Sequence, residues 1–331
     1  IIGSLTLKYE LPVEGLSYTL RAGGNLRYKE RRRWYGLATF QGEPNNGLLG
    51  MSSLASSQFN VDNFFNYNKT FGDDHRLNAM IGMTYEGRSF ENQLYSVIDF
   101  ANHDFTTDQP GYAQGILDPN QIIQSNSNLM SYMTRANYTF KDKYVFTATF
   151  RADGSSKFQD QNQWGYFPSF SGAWILSDED FIQSINSISN LKIRAGWGQI
   201  GNQAVSPYQT LSGYGSNQYA QDGNGLALAL FLQNVANPSL KWETTEQTNI
   251  GLDFGFFDNH LSGSLEFYSK NTNDLLQNAD LPGSAGFSSI LTNRGSLKSE
   301  GTEISLNGVI IEKEDWKFEI GGNIAFSETT I

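Results

Sequence analysis

Few residues of this sequence are suited to covalent chemistry. Its histidines, His75, His103 and His260, stand apart from any nucleophile or second metal ligand at a recognisable spacing. The chain has no cysteine, which excludes disulfides and thiolate metal sites. The acidic runs Asp73-Asp74 and Asp178-Glu179-Asp180 fit turns and a helix N-cap better than acid–base catalysis or calcium binding. The sequence therefore predicts no catalytic residue, no metal and no cofactor, and it does not predict an enzyme.

Residues suited to binding are easier to find. Arg31, Arg32 and Arg33 follow one another, and guanidinium forks bind phosphate groups well. Arginines that alternate with apolar residues along extended segments are Arg21, Arg27, Arg135, Arg151 and Arg194. Aromatic residues in segments that read as loops are Trp164, Tyr166, Tyr208, Tyr214 and Tyr219. Such rings stack on sugars or on peptide side chains, although packing within the loops explains them equally well.

Composition and charge limit the class of protein that positions these residues. The net charge of −11 argues against a nucleic-acid partner, because phosphates select basic surfaces. An aromatic content of 14% and 33 glycines do not favour long exposed helices. The longest apolar run, 226–232, falls far short of the ~18 residues of a membrane-spanning helix. A helical membrane protein is therefore excluded.

Two-residue periodicity is the strongest signal in the chain. It recurs in segments of about ten residues, the length of a tilted strand that crosses a bilayer. After the turn at 12–15, for example, the even positions from Leu16 to Tyr28 are apolar or small, while their odd neighbours include Arg21, Asn25 and Arg27. This pattern predicts about twelve antiparallel strands between lipid and a polar interior. A soluble β protein with an aromatic core is the alternative.

The connections between these segments alternate in length. Short links at 12–15, 71–74, 141–143, 257–260 and 312–315 alternate with long links at 30–57, 87–128, 154–166, 200–242 and 273–295. Outer-membrane barrels have this asymmetry, with short periplasmic turns and long outer loops. One short-side link is exceptional, because Ser177 to Asp180 opens an amphipathic stretch that predicts a capped helix of two or three turns.

Three long motifs stand out in the sequence. The first occupies 151–203 and contains RADGSSKF, WGYFPSFSGAWILSDEDF and ISNLKIRAGWGQIGNQ. The second runs through 237–276, NPSLKWETTEQTNIGLDFGFFDNHLSGSLEFYSKNTNDLL, with the weaker NRGSLKSEGTEISL at 293–306. The third, at 66–86, is NYNKTFGDDHRLNAMIGMTYE. These motifs resemble the SusC/RagA family of TonB-dependent outer-membrane transporters. They follow the family's order from residue 58 onward, whereas the first 57 residues match only in pattern.

The resemblance implies an all-β fold, a transmembrane antiparallel up-and-down β-barrel of 22 strands in the bacterial outer membrane. It also implies an N-terminal plug that TonB engages through a TonB box, and a SusD-like surface lipoprotein as a lid. We expect residues 1–331 to form part of this single barrel domain, without the plug, the TonB box or the strands at both ends. The chain opens on Ile1 without a leader pattern, so it reads as an internal piece or a processed product.

The expected function is TonB-dependent import of a nutrient, an oligosaccharide or an oligopeptide. A passive structural or receptor barrel, or a free-standing porin, is the alternative, with a barrel enzyme more distant. We expect Arg31, Arg32 and Arg33 to contact lipopolysaccharide, against the alternative of a solvated loop base. The five alternating arginines face the interior, where contact with the plug is preferred over the steering of substrate. The substrate itself cannot be read from the sequence.

Overall fold

The computed structural model describes residues 1–104, 109–221 and 225–331, together with their side chains except those of 118–120 and 218–228. Almost every described residue outside the turns lies in a β-strand. The α-helix in this part of the chain, α1, is Asp180–Gln183. No helix among the described residues is long and apolar enough to cross a membrane.

Twelve strands form one antiparallel sheet, in which each strand pairs with the next sheet strand along the chain. These strands are β1 (Ile2–Glu10), β2 (Leu16–Tyr35), β3 (Leu48–Phe71), β4 (His75–Phe100), β5 (Ala113–Phe140), β6 (Tyr144–Ser155), β7 (Trp164–Ile175), β8 (Ile188–Asn202), β11 (Glu243–Phe256), β12 (Leu261–Asn273), β15 (Ser296–Lys313) and β16 (Trp316–Thr330). The remaining strands form two separate hairpins, β9 (Tyr214–Gln221) with β10 (Gly225–Leu232) and β13 (Leu276–Asp280) with β14 (Ser289–Asn293). The prediction of about twelve antiparallel strands is confirmed.

The register places unlike residues on the two faces of the sheet. A row of directly opposed apolar residues crosses five strands: Ile193, Leu252, Leu265, Ile304 and Ile324. One position along each strand, side chains turn to the other face, and the corresponding row is Lys192, Asp253, Ser264, Ser305 and Asn323. We call these the apolar face and the polar face. A β-strand that separates lipid from a polar interior has this pattern.

The chain divides into two compact units. Unit 1 comprises 1–7, 20–62 and 85–129, and unit 2 comprises 8–19, 63–84 and 130–331. The core of unit 1 is a cluster of Leu49, Met51 and Phe100, against which Trp34 packs edge-on with its ring centroid 4.8 Å from that of Phe100.

Unit 2 has a buried cluster of its own at the ends of β7 and β11. The Trp242 ring lies 5.4 Å from Phe158 and 5.5 Å from Phe167 between centroids, and all three residues are buried, as is Leu240 two residues before Trp242. Trp242 also donates its indole N–H to the Gln163 carbonyl at 2.9 Å. This cluster fixes the chain where it leaves the sheet.

Two of the predicted long loops are largely strand. The predicted loop 30–57 contains the end of β2 and the beginning of β3, which leaves only 36–47 as a connection. The predicted loop 87–128 likewise contains much of β4 and β5. A strand needs only about 9–11 residues to cross the hydrocarbon, so the remainder of a longer strand contacts no lipid and its sequence need not alternate. The ladder of backbone hydrogen bonds continues all the same.

The prediction of a capped helix of two or three turns is also wrong. A 3-10 turn at Leu176–Asp178 precedes the four residues of α1, and no side chain caps the helix. The Glu179 carboxylate, which could have capped it, is instead bound to side chains of the adjoining strands.

Candidate functional site

The polar face of unit 2 carries a network of paired charges. Arg194 on β8 stands opposite Gly251 on β11, which in turn stands opposite Glu266 on β12. The Arg194 guanidinium reaches over Gly251 and donates from Nη2 to Glu266 Oε2 at 2.7 Å. It also lies 3.4 Å from Asp253, whose other partner is Lys192 at 2.8 Å.

The glycine at position 251 leaves the space through which the guanidinium crosses. A Cβ there would lie 2.7 Å from Arg194 Cζ and 2.9 Å from Nε, closer than any unstrained contact between such atoms. The sequence reading found Arg194 from strand parity but missed Gly251 and both acidic partners. Pairing of this kind is visible only once the register of three strands is known.

The other two predicted interior arginines of unit 2 share that polar face. Arg151 binds Asp153 through Nε at 2.7 Å and donates from Nη2 to Ser131 at 3.0 Å. Arg135 lies on β5 in phase with Ser131 and with Asn137, which donates to Thr147 on β6 at 2.8 Å. Their proposed contact with a plug stays a prediction.

Arg21 and Arg27 belong to unit 1 and lie on β2, both exposed. They share a strand face with Gly23, where an added Cβ would meet the Asn60 amide of β3. Neither arginine is paired with a carboxylate in the described part of the chain. A role in plug contact or in substrate steering stays a prediction for these two as well.

The arginine triplet does not form one surface. Arg31, Arg32 and Arg33 lie within β2, so Arg31 and Arg33 point to the face of Arg27 and Arg32 points to the opposite face. Arg31 and Arg33 line a cavity of about 530 Å³ together with Tyr35, whose hydroxyl accepts from Arg33 at 3.2 Å. Successive side chains of a strand point to opposite faces, so the three arginines do not form one cluster. Their contact with lipopolysaccharide stays a prediction.

Trp164 and Tyr166 lie in strand β7 and not in a loop. Trp164 stacks on Tyr132 at 5.9 Å and Tyr166 on Phe150 at 6.3 Å, so both belong to the apolar face. Trp174 lies ten residues after Trp164 on the same face of β7, a distance of about 33 Å along the strand at the usual rise. At a strand tilt of 35–45° this corresponds to about 23–27 Å measured along the membrane normal.

That height matches the apolar band of an outer-membrane barrel, which is about 25 Å tall and edged by aromatic girdles. At the Trp174 edge the rings of Phe140, Tyr144 and Trp174 stack in succession, with centroids 6.1 and 6.0 Å apart. Trp164 and Tyr166 lie on the apolar face at the height expected of the opposite girdle. Substrate binding by these two residues stays a prediction.

The remaining predicted aromatic residues lie in the link between β8 and β11. Tyr208 is exposed in its loop segment, with a positive φ of 65°. Tyr214 is exposed at the start of β9, opposite Leu232. Tyr219 lies outside the residues whose side chains are described. Substrate binding by this group stays a prediction.

Glu179, for which the sequence predicts only a turn or helix N-cap role, binds three side chains. It accepts from the Tyr144 hydroxyl at 2.7 Å, the Trp174 indole at 3.0 Å and the Lys143 ammonium at 3.2 Å. The hydrogen bonds from Tyr144 and then Trp174 hold the pKa of this carboxyl below its usual range. Glu179 thus ties the rim link to β6 and β7. In the described part of the chain no group of His, Asp and Glu is arranged to hold a metal ion.

Comparison with known proteins agrees with this arrangement of strands. Residues 3–331 match the family described as TonB dependent receptor-like, beta-barrel. TonB-dependent receptor P39 of Formosa agariphila is 32% identical over 319 residues, which cover 96% of this chain and 30% of the relative. TonB-dependent receptor SusC of Bacteroides thetaiotaomicron is 36% identical over 211 residues, which cover 62% of this chain and 21% of the relative.

A solved structure extends the comparison to three dimensions. The RagAB peptide transporter superposes with a TM-score of 0.86 at 26% sequence identity, over 96% of this chain and 35% of that one. This chain therefore spans only about a third, or less, of the relatives that it matches. The family match over nearly the whole chain, the antiparallel sheet and the likeness to RagAB confirm the resemblance of the motifs: the chain belongs to the β-barrel of the TonB-dependent receptors, outer-membrane proteins of the SusC/RagA type.

Proposed function

We propose that the whole protein imports a nutrient across the outer membrane by a TonB-dependent mechanism. The observation that carries this proposal is the match of residues 3–331 to the receptor barrel, in sequence and in three-dimensional structure. The substrate classes that we propose are the oligosaccharides and oligopeptides expected from the resemblance, and the peptide class is supported by the RagAB peptide transporter among the similar structures.

The polar face fits a barrel interior that is occupied by protein and by passing substrate. Its charges in unit 2 are largely paired, as in the network of Lys192, Arg194, Asp253 and Glu266. Paired charges give a hydrated wall without a strong net field. Import of this kind involves no covalent step, so the chain needs no catalytic residue.

We further propose that a SusD-like lipoprotein covers the outer opening and that TonB supplies the energy through a plug. The similarity to SusC and to the RagAB structure supports the lipoprotein partner.

The experiment is uptake by cells that produce the full-length receptor. Labelled oligosaccharide and oligopeptide pools would be offered to the wild-type strain, to a strain without the receptor gene, and to otherwise identical strains without TonB or without the lipoprotein. We expect uptake of one pool that needs both receptor and TonB. Uptake that needs the receptor but persists without TonB would instead support the passive barrel. Equal uptake in all strains, including the strain without the receptor gene, would reject transport by this protein.

A further inference from the structure

Three long links of unit 2 leave the sheet at the same end, because consecutive strands of the sheet are antiparallel. They are 156–163 between β6 and β7, 203–242 between β8 and β11, and 274–295 between β12 and β15. We call them the first, second and third link. The final segment of the second link, 237–242, binds both of the other links. We call this segment the clasp.

The clasp holds the first link through two hydrogen bonds and an aromatic contact. Asn162 donates from Nδ2 to the Ser239 carbonyl at 3.2 Å. The Trp242 indole donates to the Gln163 carbonyl at 2.9 Å. The Trp242 ring also lies 5.4 Å from that of Phe158 between centroids, and both side chains are buried. Movement of the first link away from the clasp would break all three contacts.

The third link is held mainly by one amide side chain. Asn293 accepts from the Lys241 backbone N–H through Oδ1 at 2.9 Å, and it donates from Nδ2 to the Lys241 carbonyl at 2.9 Å. Asn293 Nδ2 also donates to the Asp274 carbonyl at 2.9 Å, and Asn237 of the clasp donates to the Leu291 carbonyl at 2.8 Å. The ion pair of Lys241 with Asp274 is half-exposed and adds little. The Asn293 amide thus takes the place of a peptide group and joins the clasp to both ends of the third link.

Packing connects the first two links as well as hydrogen bonding. The buried apolar side chains that the structure describes in unit 2 are Ala152, Phe158, Phe167, Val205, Leu240 and Trp242. All of them lie in the links or near the adjoining strand ends. Contact with lipid does not require such a core, because the wall of a barrel is a single sheet. The motif stretches 151–203, 237–276 and 293–306 therefore meet where the links are held together.

We propose that the clasp joins the three links into one conformational unit, whose parts open and close together. Segments that share contacts open as one cooperative unit, because those contacts are lost together. The clasp supplies such contacts, since the first and the third link each bind it. A ligand or partner protein that binds one link then also lowers the mobility of the other two. The inference goes beyond the proposed import function, because the motion of the links can be measured without transport.

The test is amide hydrogen exchange of the purified full-length receptor, measured by mass spectrometry. The variant Asn293→Ala removes three hydrogen bonds of the third link and leaves the contacts of the first link in place. We expect amide exchange to become about tenfold faster or more in the third link and also in the first, since the lost bonds favour the open form. Asn278→Ala is the matched control and should exchange as the wild type does. Asn278 lies on β13 in the same hairpin, is exposed, and makes no side-chain hydrogen bond in the described part of the chain.

Exchange in each link is followed at amides whose hydrogen-bond partners are known. In the first link the Asn162 N–H donates to the Gln159 carbonyl at 2.8 Å. In the third link the Arg294 N–H donates to the Leu275 carbonyl at 2.9 Å. Amides in the middle of β7 and β11 report whether the sheet stays intact, and they should exchange as in the wild type.

Phe158→Ala perturbs the unit from the opposite side, through the Trp242 ring, and should accelerate exchange in the third link. The proposal is overturned if Asn293→Ala accelerates exchange in the third link alone, since the links would then move independently. It is also overturned if neither link changes, if Asn278→Ala has the same effect as Asn293→Ala, or if the amides in the middle of β7 and β11 accelerate as much as the links. A folded Phe158→Ala variant whose third link exchanges at the wild-type rate would overturn it too, and if that variant does not fold, the result for Asn293→Ala decides.

Discussion

Gly251 offers a direct test of how the polar face is built, because its lack of a side chain lets Arg194 reach Glu266. In Gly251→Ala the new Cβ would stand 2.7–2.9 Å from the guanidinium, so that group must move by about 1 Å to an ordinary contact distance. Such a shift would lengthen or misalign the hydrogen bond of 2.7 Å to Glu266.

The expected cost follows from the exposure of the pair. A hydrogen bond between charged groups contributes about 1.5–3 kcal/mol, and the lower end applies here because solvent screens the pair. The exposed fractions are 33% for Arg194 and 24% for Glu266. Replacing a strand glycine by alanine returns about 0.5–1 kcal/mol of backbone entropy. Gly251→Ala should therefore destabilise the barrel by about 1 kcal/mol.

Gly196→Ala is the matched control, because it lies two residues from Arg194 on the same strand face. Its added Cβ would meet Ser171 Cβ at 3.4 Å, an ordinary contact, so this variant should gain the entropic 0.5–1 kcal/mol or so. The assay is the urea midpoint of the full-length receptor in lipid vesicles, followed by tryptophan fluorescence, with both variants repeated in an Arg194→Ala background.

In that background the clash is gone, and Gly251→Ala should become as favourable as Gly196→Ala. Equal midpoints for the two alanine variants in the wild-type background would refute the reasoning. A Gly251→Ala penalty that persists without Arg194 would refute it as well.

Further predictions concern Glu179 at the rim, Leu240 in the buried cluster just before β11, and Trp164 on the apolar face of β7. The hydrogen bonds of Glu179 lower its pKa, so the ionised carboxylate stabilises the folded protein. This stabilisation is complete at pH values above the ordinary pKa of a carboxyl group, and it is lost as the pH falls through the lowered pKa. Glu179→Gln should therefore lower the melting temperature near neutral pH, and the difference from wild type should shrink when the pH is lowered past about 4. Leu240→Ala should cost about 2–5 kcal/mol, because the side chain is fully buried, whereas Leu211→Ala at an exposed site should cost little; the urea midpoints of the two variants measure this. Trp164→Ala should lower the stability of the barrel in vesicles and leave substrate affinity unchanged, and a loss of affinity at unchanged stability would contradict its place in the girdle.

Contact with lipid decides which strands can be predicted from the sequence. Where lipid contacts one face, as along β11 and β12, apolar residues are needed at every second position, and the alternation identified both strands and the turn between them. Beyond the hydrocarbon that requirement ends. For this reason the sequence predicts loops at 30–57 and 87–128, although much of both ranges lies in the paired strands β2 to β5.

The candidate sites divide in the same way. Parity within one strand was sufficient to put Arg151 and Arg194 on the polar face, but not to find Asp253 or Glu266 as partners of Arg194, since these residues come from other strands. Arg31, Arg32 and Arg33 are consecutive in the sequence, which suggests one cluster. In β2, however, the Arg32 side chain points to the opposite face from those of Arg31 and Arg33.

The sequence by itself determined the class of fold, the strand count, the membrane environment and the family, because alternation and motif order are properties of the linear chain. The tertiary structure alone decided which charges are neutralised and which are left unpaired on the polar face. The reason is that pairing depends on the register between strands far apart in sequence, and a shift of one residue would turn every side chain of a strand to its other face.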